Sequence, residues 1–140
     1  MLTDDTAARV QVVLAIPLHR FLGIALLDPA DPSAGIWFAV DEPARNNVGV
    51  LHGGVVTALL DVASYLALLP SLAQGEHAVT HDLSVSLLRS VPAGSRVELT
   101  GTVLKRGRAV AFLRAEASVD GRLVAAAQVT KTLVAEVGGP

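Results

Sequence analysis

With 140 residues and a formal net charge of −2, the chain is long enough for one domain around a single core and carries no basic excess for nucleic acid. It has no cysteine, which excludes a disulfide framework, a thiolate metal site and a cysteine nucleophile. Apolar residues make up 51% and charged residues 17%, and Met1-Leu2-Thr3-Asp4-Asp5 lacks the basic start of a secretory signal, so a cytoplasmic domain is expected.

Val10, Val13, Leu14 and Leu18 fall at helical spacing, which predicts a short N-terminal helix over Thr6 to Leu18, with Pro17 disturbing its far end. Phe21 to Leu27 reads as extended and stops at the turn Asp28-Pro29-Ala30-Asp31-Pro32. Gly35 to Val40, with Trp37 and Phe38, predicts a second short strand, followed by a loop from Asp41 to Leu51. A helix then runs from Gly53 to about Leu69, and it is apolar on every face. Such a helix must be buried, and the clean apolar runs on either side of Asp61 fall short of the ~20 residues of a membrane span. Asp61 is the only formally charged residue between Arg45 and Glu76, and a buried carboxylate is costly unless it is partnered or used.

The second half alternates with period two, as strands do. Val79, Leu83, Val85 and Leu87 fall on one face, with Thr80, Asp82, Ser84 and Ser86 on the other. Val97 to Val103, Ala109 to Val119 and Leu123 to Val134 continue an expected antiparallel meander, with turns at Arg106-Gly107 and Asp120-Gly121. Val137 to Pro140 is expected to fray. The sum is one α+β domain over residues 1–140, with its core at about 20–135. One sheet covers only part of such a helix, so a second copy of the molecule is expected to cover the rest.

Asn46-x-x-Gly49-x-Leu51-His52-Gly53-Gly54, followed by Leu60-Asp61-x-Ala63, resembles the hotdog-fold thioesterases, and in particular the phenylacetyl-CoA thioesterase-like acyl-CoA hydrolases. The resemblance extends from about Leu22 to Val134 and includes Val79-Thr80-His81-Asp82-Leu83-Ser84-Val85 and the closing Ala125 to Thr132 strand. It implies an antiparallel sheet wrapped around one long buried helix, dimers with a continuous sheet, and often tetramers made of two such dimers. The substrate it implies is an acyl-CoA, hydrolysed without any cofactor beyond the CoA of the substrate itself.

Thioester hydrolysis needs donors for the carbonyl oxygen and a group that attacks or activates water. Gly53 and Gly54 open the helix, where backbone N–H groups are free and the dipole is positive; Asp61 supplies the attacking group or the base. Gly53 and Asp61 are about 12 Å and roughly 80° apart along one helix, too far to serve one carbonyl. If both act, Asp61 faces Gly53 of a second subunit. His52 and Asn46 precede the helix, where they orient substrate or brace the loop, and Thr80 stands where relatives carry a serine or threonine facing the site. Arg89, Arg106 and Arg108, with Lys105, are the cations expected to meet the CoA phosphates. Tyr65, Leu66, Leu69, Trp37 and Phe38 are the candidate acyl-pocket residues, for an aromatic or a medium-chain acyl group. His77 and His81 have metal-like spacing but no third ligand, so no metal is expected. An acyl-CoA-binding protein without turnover and a hotdog hydratase or dehydratase are the alternatives. Asp61 argues against the first, and its pattern with His52 against the second.

Overall fold

The computed structural model describes residues 3–135; Val137 to Pro140 lie outside them. The elements are α1 (Asp4–Ala15), α2 (Pro17–Leu22), β1 (Ala25–Leu26), β2 (Ile36–Ala39), α3 (Gly53–Leu68), β3 (Glu76–Leu87), β4 (Arg96–Arg106), β5 (Val110–Val119) and β6 (Arg122–Ala135). The single N-terminal helix expected from the sequence is two. Pro17 takes the first position of α2, where its missing N–H costs nothing, and Gly23, at φ 73°, closes that helix. Phe21 and Leu22 are therefore helical, and the extended segment shrinks to Ala25–Leu26.

The six strands form one antiparallel sheet in the order β1-β2-β4-β5-β6-β3. Only β4, β5 and β6 form a meander; β3 leaves it and pairs with β6 at the far edge. The helix explains the order. It follows β2 at one side and crosses the concave face, so the chain emerges at the opposite side and β3 occupies that edge. Asp120 and Gly121, at φ 51° and 77°, supply the paired positive angles of the tight turn between β5 and β6.

Small side chains let α3 sit close to the sheet. Ala111, Ala115 and Ala117 of β5 and Ala125 and Ala127 of β6 are buried beneath it, with Leu99, Leu113 and Val129. At Gly101 of β4 the contact is closest: a Cβ there would lie 2.6 Å from the carbonyl oxygen of Ala63 and 2.9 Å from Cβ of Ala67. The obstacle is helix backbone, so Gly101→Ala is expected to lift α3 from the sheet at a cost of about 2 kcal/mol, read as a lowered urea midpoint. Gly53–Ser71, at 19 residues and mean hydropathy 1.6, is long and apolar enough by composition to cross a bilayer, contrary to the expectation. Here that segment lies across the sheet, with Leu59, Leu60, Leu66 and Leu68 in the core.

The sheet face of β3 also differs from the simple alternation. A bulge at His81 breaks the register, so that Thr80 pairs with Lys131 but Asp82 with Thr130. One extra residue reverses which side chains point inward. Ala78 faces in before the bulge and Leu83 and Val85 after it, while Val79 stands 54% exposed.

Candidate active site

Asp61 has two partners. Thr80 donates its hydroxyl to Asp61 Oδ1 at 2.7 Å, and Lys131 Nζ donates to the same oxygen at 3.0 Å and to Thr80 Oγ1 at 2.6 Å. Thr80 and Lys131 are cross-strand neighbours on β3 and β6, so the sheet register sets the spacing of this group. The bulge turns Thr80 toward α3. Lys131 is 2% exposed, and its ammonium also lies 5.8 Å from the ring centre of Tyr65. With Oδ1 occupied twice, the second oxygen of Asp61 carries no hydrogen bond among the described residues.

The sequence reading missed Lys131, although the pattern holds it. Ala125, Ala127, Val129 and Leu133 point inward along β6, and a lysine in phase with them faces the core. A buried cation on a strand and a lone carboxylate on an apolar helix are each unfavourable alone, and together they satisfy one another. Asp61, Thr80, Lys131 and Tyr65 line one side of a cavity of about 590 Å³, whose other side is formed by α1 and α2.

The helix entry lies elsewhere. His52 caps α3: its Nδ1 accepts the Gly54 N–H at 2.9 Å, and its carbonyl accepts from Val55 and Val56 at 3.0 and 3.3 Å. Gly54 thus gives its N–H to the cap, whereas the Gly53 N–H has no acceptor among the described residues and can donate to a ligand. A Cβ on Gly53 would stand 2.7 Å from Cδ1 of Leu87, so the glycine also lets the helix start against the end of β3. Asn46 braces the preceding loop, its Oδ1 accepting from the Val48 and Val50 N–H groups at 3.0 and 3.2 Å. Asn46, Gly53, Leu87 and Arg89 border a second cavity of about 330 Å³. The chain therefore brings together Asp61, Thr80 and Tyr65 in one place and Asn46, His52, Gly53 and Gly54 in another.

The other expected contacts sort by position. Arg89 lies beside the Gly53 cavity, with Nε on the Leu123 carbonyl at 3.1 Å. Arg106 is tied to Glu76 by an ion pair and to the Gly107 carbonyl, and neither it nor Arg108 borders either cavity. Of the expected acyl-pocket residues, Tyr65 alone borders either of these two cavities. Leu66, Leu69 and Phe38 are core residues, and Trp37 stacks under the Arg96 guanidinium at 4.1 Å.

A helix held in a curved antiparallel sheet, with a partnered carboxylate in its middle and a glycine donor at its entry, defines a hotdog-fold thioesterase. The family model described as the thioesterase superfamily matches residues 48–126. Acyl-coenzyme A thioesterase 13 of Mus musculus is 33% identical over 140 aligned residues, covering 94% of this chain and 96% of the mouse protein. Among solved structures, a phenylacetic acid degradation-related thioesterase of Ralstonia eutropha JMP134 superposes with a TM-score of 0.76 at 27% identity, covering 92% of this chain and 99% of that one. A Haemophilus influenzae thioesterase shares the fold, with a TM-score of 0.83 at 22% identity, covering 99% and 94% of the two chains. The chain belongs to the thioesterase superfamily, and it is a thioester hydrolase.

Proposed function

We propose that the protein hydrolyses an aromatic or medium-chain acyl-CoA to the free acid and CoA, at a site that two copies of the chain complete. The observation that carries this reading is the placement of Asp61 and the Gly53 N–H in separate cavities of one chain. The edge of β3 explains how they meet. Among the described residues that edge is unpaired, and Val79 and Leu87 are exposed along it. Long apolar edges invite another strand. Two β3 strands pairing antiparallel about Leu83 and Ser84 set Thr80 of one copy opposite Leu87 of the other. Because Thr80 holds Asp61 and Leu87 packs at Gly53, the same pairing carries the second copy's Gly53 to the first copy's Asp61. A homodimer, or a tetramer of two such dimers, follows.

In that arrangement the acyl group lies in the Asp61 cavity and its thioester oxygen takes the Gly53 N–H at the positive end of α3. The free oxygen of Asp61 attacks the carbonyl carbon or takes a proton from the attacking water. The thiolate of CoA leaves and takes up a proton, and water supplies the oxygen of the acid. Arg89, beside Gly53, is the cation placed for the CoA arm.

The test is a mixed dimer. Co-expressed Asp61→Asn and Gly53→Val chains, each inactive alone, are expected to regain about half the wild-type rate per dimer, since one of the two sites is then intact. Mixed dimers as inactive as their parents would overturn the shared site.

A further inference from the structure

A third cavity, of about 320 Å³, continues from the one at Gly53, since Arg89, Ser90, Val91 and Val124 line both. Beyond them its wall is the β5–β6 hairpin, with Asp120 and Arg122. The strand register measures how far it reaches. Leu87, which meets Gly53, pairs with Ala125, and Arg122 stands three residues further along β6, about 10 Å away. Two cations border this far end. Arg89 gives its Nε to the Leu123 carbonyl at 3.1 Å, and its terminal nitrogens have no partner among the described residues. Arg122 forms no ion pair among the described residues. Arg106 and Arg108, the cations expected from the sequence on the other hairpin, border none of these three cavities.

We infer that Arg122 is a specificity residue, which with Arg89 holds the phosphates at the nucleotide end of the substrate. The inference rests on the acyl-CoA thioesterase reading and adds to it a residue that selects the thiol: CoA in preference to a shorter thiol carrying the same acyl group. The extended pantetheine arm of CoA covers the length of β6 from Ala125 to Arg122 together with the reach of an arginine side chain. A thioester held at the Gly53 N–H therefore brings its phosphates to the two guanidinium groups, with Val91 and Val124 beside the arm. A guanidinium offers paired N–H groups to two phosphate oxygens at once. Both arginines are exposed, so water and salt screen each contact, and the hold comes from the pair. Contacts this far from the thioester are the same in the ground state and the transition state, so they set KM and leave kcat.

The experiment places the faster-hydrolysed of the phenylacetyl and octanoyl groups on three thiols: CoA, 3′-dephospho-CoA and pantetheine. Wild type is expected to lose about tenfold or more in kcat/KM from the CoA ester to the pantetheine ester. Arg122→Gln is expected to raise KM for the CoA ester about tenfold at unchanged kcat, and to hydrolyse the pantetheine ester as wild type does. The dephosphorylated ester tells the phosphates apart. If Arg122→Gln costs nothing on it, Arg122 holds the 3′-phosphate; an undiminished cost puts Arg122 on the pyrophosphate. Arg108→Gln removes the same charge away from these cavities and is expected to match wild type on all three esters. An Arg122→Gln variant that keeps the wild-type KM for the CoA ester, or that slows the pantetheine ester equally, overturns the inference. So does an Arg108→Gln variant with the same loss, which would make the effect one of net charge. Turnover that ignores the thiol overturns this inference alone, whereas no turnover of either CoA ester overturns the acyl-CoA thioesterase reading beneath it.

Discussion

Asp61→Asn is expected to lower kcat for acyl-CoA hydrolysis about a thousandfold, with a much smaller change in KM. Asparagine fills the same space and still accepts from Thr80 through its carbonyl oxygen, but it neither attacks nor takes a proton at the second position. The loss therefore falls on the chemical step. Stability responds as well. Lys131 is buried with its ammonium on Asp61 Oδ1, and removing the charge opposite leaves a cation with neutral partners alone: the amide oxygen, Thr80 and the face of Tyr65. The Asp61 side chain is 34% exposed, so water screens part of the loss, and about 2 kcal/mol is expected rather than the full cost of a stranded buried charge. Circular dichroism of the folded variant, together with CoA-release kinetics, checks both effects. A variant that melts like wild type and keeps wild-type kcat would remove Asp61 from the reaction.

Lys131→Met is expected to reduce kcat about a hundredfold while leaving KM within a fewfold. Methionine follows the lysine stem in length and removes only the head group, so the packing beneath α3 is preserved. Asp61 then keeps one hydrogen bond instead of two, and its side chain gains freedom to rotate the reacting oxygen out of line. Lys131→Arg is expected to recover only part of the rate, because a planar guanidinium aims its donors differently from the compact ammonium that meets Asp61 and Thr80 together. Joining Asp61→Asn to Lys131→Met completes a cycle. Neither charge is then stranded, so the double variant is expected to be more stable than the two single losses predict, by about 1 kcal/mol or more. Strictly additive losses would show that the pair is not coupled.

Much of this site was legible before any coordinates. The apolar helix, its lone carboxylate and the glycine pair at its entry are local features, and local features follow from residue type and spacing. What the sequence hid lies where long-range register decides. Lys131 is 70 residues from Asp61, and only the pairing of β3 with β6 makes them neighbours. Thr80 was placed at the site by the resemblance and not by alternation, which sets it opposite Leu83 and Val85; a single bulge residue, His81, reverses that pattern. The position of β3 beyond β6 was hidden too, since hairpin signals tell where the chain turns and not which edge a strand takes after a crossing helix. Likewise, nothing local distinguishes Arg106, held by Glu76 away from both cavities, from Arg89 at the mouth of one.

In the proposed site, α3 would give its first residue, Gly53, to one reaction and its mid-helix Asp61 to another. In the two-fold assembly proposed above, each helix would be a strut between two reaction centres, giving its first N–H to one and its carboxylate to the other. A strut of this kind cannot slide without loosening one centre and compressing the other. Gly101, where β4 meets the helix backbone, and Leu87, which meets its first residue, act as the clamps that fix its axial position. In that proposed assembly the two sites would share one alignment, set by how α3 is seated on the sheet.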